Sequence, residues 1–207
     1  MSAVDPKISR IAELNGLCFE WNLPERVLQI ADELSDLLGD SAMLRPGRTF
    51  REAYIAGRFA RRRGASSVRL LVEDGTKQTP DFELLIEGGC LRFETTEADI
   101  PGRKRGDEYK KPAETKPMTF TSLDVMVEQM RRLSETKAAK RYDDCHGLII
   151  WVNPPAFVFN PKMRWEALVR GGEPAAGSFK EVWVMRGEGS LIWQYGIPQP
   201  EIPGEEF

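Results

Sequence analysis

Asp81, Glu83, Glu94 and Thr96 are the residues whose types and spacing could do chemistry, since carboxylates gathered at one place hold hard divalent cations through oxygen. The first three sit in two short, mainly apolar runs, Asp81 to Ile86 and Cys90 to Thr95, split by Glu87-Gly88-Gly89, and Thr96 directly follows the second. That composition predicts two antiparallel strands joined by a tight turn. With Gly88 and Gly89 as the turn, Glu87 faces Cys90, Glu83 faces Glu94 and Asp81 faces Thr96. Alternation then puts Asp81, Glu83, Glu94 and Thr96 on one side of the hairpin, and Phe82, Leu84, Ile86, Leu91 and Phe93 on the other, which is the core side. Asp81 and Glu94 become diagonal neighbours, roughly 7–8 Å apart at the backbone. Glu83 opposite Glu94 is a like-charge pair that costs free energy unless something positive lies between them. The competing reading is a solvated strand face with no ligand.

The surrounding elements must position this hairpin. Pro24 followed by Val27, Leu28, Ile30, Ala31, Leu34, Leu37 and Leu38 predicts an amphipathic helix over 24–39 that ends at Gly39. A second helix is expected from Thr49 to Arg63, stopped by Gly64. Its Glu52 falls on the stripe of Ile55, Ala56 and Phe59, and a carboxylate there needs a partner. Glu52 is either half of a buried pair with an arginine such as Arg63 or an extra acid pointing into the acidic face of the hairpin. Arg51, Arg58 and Arg62 form a neighbouring face. Ser67 to Val72 reads as a strand, and Ile100 to Met118 as a mobile surface loop with almost no apolar pattern. Ser122 can cap a helix that buries Leu123, Met126, Val127, Met130 and Leu133 and ends near Arg141. Lys137 and Lys140 near its C-terminal turn favour the helix dipole. The unbroken apolar run Gly147 to Val152 predicts a central strand covered on both faces. A helix from Asn160 to Val169 and a hairpin of Val182 to Met185 with Leu191 to Tyr195 follow as an accessory addition. Trp183 and Trp193 are core anchors there, and the tail from residue 198 is loose.

Length and composition narrow the class. A chain of 207 residues with 41% hydrophobic and 29% charged residues suits one α/β domain spanning 1–207. No apolar run reaches membrane-spanning length, and Met1 to Pro6 lack the basic start and apolar block of a secretion signal, so a cytoplasmic location is expected. Three widely separated cysteines argue against a disulfide framework or a cysteine zinc site. The single histidine, His146, excludes a helical zinc-protease motif and other multi-histidine sites. Net charge is −3, yet seven arginines lie between Arg45 and Arg63 against one acid, Glu52, and a second basic cluster includes Arg103, Lys104, Lys110 and Lys111. Such patches suit phosphate contacts or a solvated helix face.

The order of helix, strand, acidic hairpin, helix and buried strand over about 49–153 resembles the common core of the PD-(D/E)xK nuclease superfamily, the restriction-endonuclease-like fold. The resemblance rests on Pro80-Asp81 at the start of the second strand and Glu94-Thr95-Thr96 in the third. Glu52 takes the place of the helical glutamate that some members add. It implies a central mixed sheet flanked by helices, Mg²⁺ or Mn²⁺ held by Asp81 and Glu94 with help from Glu52, and hydrolysis of nucleic-acid phosphodiesters. Arg51, Arg58, Arg62, Lys104 and Lys110 would contact the nucleic acid. Thr96 stands where the family has lysine and cannot supply its charge. Either another cation such as Lys104, Lys110 or Arg92 reaches in, or the chain binds nucleic acid, a protein partner or a second copy of itself without cutting.

Overall fold

A computed structural model of the chain describes residues 5–39, 47–72, 78–99, 122–140, 142, 144–152, 168–186 and 191–196. The chain runs through helices α1 (Pro6–Leu17), α2 (Pro24–Leu38) and α3 (Arg48–Arg63), strands β1 (Ser67–Leu70), β2 (Phe82–Ile86) and β3 (Gly89–Ala98), helix α4 (Leu123–Ala138), and strands β4 (Gly147–Val152), β5 (Glu181–Arg186) and β6 (Leu191–Gln194). The strands form a six-stranded mixed sheet in the order β1-β2-β3-β4-β5-β6. β3, β4 and β5 are mutually parallel and the outer pairs are antiparallel. Among the described residues no helix is long and apolar enough to cross a membrane.

Local signals account for the helix ends. Asp5 accepts a hydrogen bond from the Lys7 amide at the start of α1, and Pro6 and Pro24 occupy first-turn positions where an amide would be unpaired anyway. Ser122 caps α4 by accepting from the Val125 amide at 3.4 Å, as the sequence predicts. Gly64 ends α3 in the left-handed conformation. Helix α1 was not anticipated, although Asp5-Pro6 is a sound start signal. Its Arg10 forks onto Glu33 of α2 at 2.7 and 3.0 Å.

The sheet has a core on each side. Leu14, Ile30, Leu34, Phe59, Phe82 and Phe93 join α1, α2 and α3 to one face, where the Phe59 ring meets Phe93 edge-on at 4.9 Å. Gly57 lets α2 come close, since a Cβ there would lie 2.9 Å from Leu28. Met126, Met130, Leu148, Ile150 and Val184 seal α4 to the other face. Every residue of β4 is buried, as its unbroken apolar run requires.

Two expectations are corrected. β5 and β6 form the expected antiparallel hairpin, but it is part of the central sheet and not an accessory addition, β5 pairing in parallel with β4 from Gly147↔Glu181 to Val152↔Arg186. The buried Trp183 and Trp193 anchor the two cores there. The hairpin register also differs: Ile86 pairs with Gly89, Glu83 with Arg92 and Phe82 with Phe93. The turn is Glu87-Gly88, both at positive φ (48° and 79°), the primed geometry that matches the twist of the strands. The loop expected over 100–118, most of the helix from Asn160 and the tail lie outside the described residues.

Candidate functional site

The two-residue shift in register keeps every side chain on its expected face, because faces alternate with period two. It does change the partners. Glu83 no longer opposes Glu94; it accepts from Arg69 Nε at 2.6 Å and from Arg92 Nε at 3.1 Å, and it is 1% exposed. The expected like-charge clash is therefore absent at Glu83, and Arg92 is spent on Glu83 and on Asp144 (3.6 Å) instead of reaching toward the other acids.

Continued one step beyond Phe82↔Phe93, the same register sets Asp81 across from Glu94. β2 has ended there, and the Asp81 carboxylate takes the place of a strand partner: Oδ2 accepts from the Thr95 amide at 2.7 Å and from the Thr95 hydroxyl at 2.5 Å. Asp81 and Glu94 line one cleft of about 510 Å³ together with Glu52, Thr96, Arg48, Arg51, Lys137, Lys140 and Trp151. The cleft opens at the carboxyl ends of the parallel strands β3 and β4, where open α/β sheets bind ligands. The amino end of α3 forms one wall and the carboxyl end of α4 another.

Glu94 is buried and held on one side only. Lys137 Nζ and the Tyr142 hydroxyl both donate to Oε1, the latter at 3.0 Å. Oε2 is buried and has no hydrogen-bond partner among the described residues. Burial first, and the neighbouring Asp81 second, raise the Glu94 pKa above its usual 4.5, against the pull of Lys137. Burial likewise lifts the Tyr142 phenol well above its ordinary 10, which keeps it a neutral donor. Cys145 is pushed up to about 12 by burial, so its thiol is not poised as a nucleophile.

The remaining expected residues divide. Glu52 lines the cleft, but its partner is Arg48 one turn back (2.5 Å), whereas Arg63 pairs with Glu181 at 3.0 Å. Among the described residues no group of three or more His, Cys, Asp or Glu could hold one ion, so Glu52 does not complete a three-acid cage. Arg51 lines the cleft, Arg58 stacks over Tyr54 with its guanidinium carbon 5.2 Å from the ring centre, and Arg62 is exposed away from the cleft lining. Lys104 and Lys110 lie outside the described residues. His146, 3.1 Å from Glu181, belongs to a separate cluster with Arg63 and Trp183.

Lys137 and Tyr142 are the residues that sequence reasoning missed. A signal for Lys137 existed: Met126, Met130 and Ser134 are the buried positions of α4, and Lys137 continues that stripe one turn further. A cation extending a buried stripe needs an acid to meet. No protein-family model matches the chain, nor does any curated protein or solved structure.

Proposed function

We propose that the cleft is the site of a metal-dependent nuclease, with Asp81 and Glu94 as the metal-holding carboxylates and Lys137 as the cation that Thr96 cannot be. The observation that carries this is the half-satisfied state of Glu94, whose Oε2 is buried without a partner among the described residues while Lys137 and Tyr142 fix Oε1. A buried acceptor left open costs free energy, and such exceptions call for an explanation, a missing ion among them. Two carboxylates are a sufficient protein contribution for Mg²⁺, which commonly completes its shell with water and substrate phosphate.

When bound, a divalent ion would polarise the phosphodiester and acidify an attacking water. The chain supplies the rest. Lys137, bonded to Glu94 in the cleft, offsets part of the acidic charge and would add positive charge near a bound phosphate. Tyr142 keeps the Glu94 carboxylate from turning. Arg51 and Lys140, on opposite walls, are placed to grip the phosphate backbone. Thr96 offers a hydroxyl and no charge.

Titration calorimetry with Mn²⁺, paired with cleavage of labelled DNA and RNA, tests the proposal. The native chain should bind Mn²⁺ and cut at least one nucleic acid, and Asp81→Ala and Glu94→Ala should lose both while keeping the fold. An unaltered titration in either variant would remove the site from consideration. Thr96 at the motif position supports a second reading, that of a nuclease-like fold that binds without cutting. Retention of nucleic acid that weakens steeply with salt, with no cleavage in Mn²⁺, would favour it.

A further inference from the structure

We propose that Arg48 is a resident counter-ion of the cleft, which an incoming divalent cation must displace; this rests on the metal-binding reading of Asp81 and Glu94. Arg48 Nε lies 2.5 Å from Glu52 Oε1, and its Nη2 lies 3.7 Å from Asp81 Oδ1. One guanidinium thus spans two acids of the cleft from its rim, in the region an ion shared with Asp81 would enter.

The position of Arg48 is hard to explain by helix stability. It is the first residue of α3, whose first turn contains no acid. A cation there meets the positive end of the helix dipole. Its i,i+4 pair with Glu52 also runs in the less favourable direction, with the base amino-terminal to the acid. The charge that rewards this placement is in the cleft: Asp81, Glu52 and, beyond them, Glu94, whose buried Oε2 has no partner among the described residues.

Arg48 and Lys137 play different parts. The Lys137 side chain is 17% exposed and locked to Glu94, whereas that of Arg48 is 50% exposed at a helix end. Arg48 can therefore swing into solvent when a metal takes over its electrostatic role, and Lys137 stays. The guanidinium keeps the acids compatible with one another until a cation arrives, and it competes with that cation for Asp81.

The test is Mn²⁺ calorimetry and thermal unfolding, with and without Mn²⁺, on the native chain, Arg48→Ala and Arg48→Lys. Arg48→Ala should bind Mn²⁺ about fivefold more tightly, the scale set by losing one half-exposed ion pair. Without metal it should melt below the native chain, and Mn²⁺ should raise its melting temperature by more. Arg48→Lys, which keeps the charge, should bind as the native chain does. Equal or weaker binding by Arg48→Ala, with the native chain binding normally, overturns the role of Arg48 alone. Absence of Mn²⁺ heat in all three proteins overturns the metal reading and this inference with it.

Discussion

Glu83 and Glu94 lie on the same face of the sheet on neighbouring strands, both nearly sealed from solvent at 1% and 5% exposure, yet they are treated in opposite ways. Glu83 has an arginine on each oxygen, Arg69 on Oε1 and Arg92 on Oε2. Among the described residues, Glu94 has two donors crowded onto one oxygen and none on the other. A buried charge with full pairing is architecture, because its desolvation is offset where it sits. A buried charge left half paired has its desolvation only partly offset. On the proposed reading, that difference marks Glu94 rather than Glu83 as the metal-holding acid.

The largest effect that would sharpen this contrast comes from stripping Glu83. Replacing Arg69 and Arg92 together by alanine should cost about 3 kcal/mol, since it leaves a buried carboxylate uncompensated. Denaturant unfolding would register this as a lower midpoint with an unchanged slope. Mn²⁺ affinity should not move. A double variant as stable as the native chain would mean that water already reaches Glu83, and the contrast would lose one side.

Glu94→Gln should behave the other way, losing Mn²⁺ binding while changing metal-free stability by no more than about 1 kcal/mol. The pH dependence carries the sign. The folded pKa of Glu94 is raised above 4.5, so the native state keeps a proton that the unfolded chain releases. Its contribution to stability is whole below the unfolded value and is lost as pH rises through the folded one. Glutamine has no such titration. In chelator, the native chain should therefore lose ground to Glu94→Gln as pH climbs from about 4.5 toward neutrality. A difference that stays flat across that range would show that Lys137 fully compensates the carboxylate.

The same pair explains what the sequence could and could not disclose. Which face carries Asp81, Glu83, Glu94 and Thr96 was legible because side-chain direction depends only on odd or even position, and that survives a slip of two residues. The partner of Glu83 was not, because it depends on whether the turn falls at Glu87-Gly88 or at Gly88-Gly89. β4 was readable from its unbroken apolar run, and α4 from the Ser122 cap and its stripe. The place of β5 inside the sheet was hidden, since parallel pairing with β4 leaves no local mark. Lys137 meets Glu94 only because the crossover helix packs back across β3, a contact over 43 positions that no window along the chain contains.

The smallest expected effect falls on Tyr142, and it decides whether the asymmetry at Glu94 is functional. Tyr142→Phe removes one of the two donors on Oε1 and leaves the ring packed against Phe179, whose centre is 5.8 Å away. Folding stability should fall by about 1 kcal/mol, the worth of one hydrogen bond. If Tyr142 serves only the fold, the change ends there. If it holds the carboxylate so that Oε2 faces the cleft, Mn²⁺ affinity should drop about tenfold, as it does when groups orienting a metal ligand are lost. Affinity is the discriminating readout, because a merely structural hydroxyl would lower the unfolding midpoint and leave the Mn²⁺ titration of the folded protein unchanged. An unchanged titration would assign the one-sided bonding of Glu94 to packing, and Lys137 alone would then orient the acid.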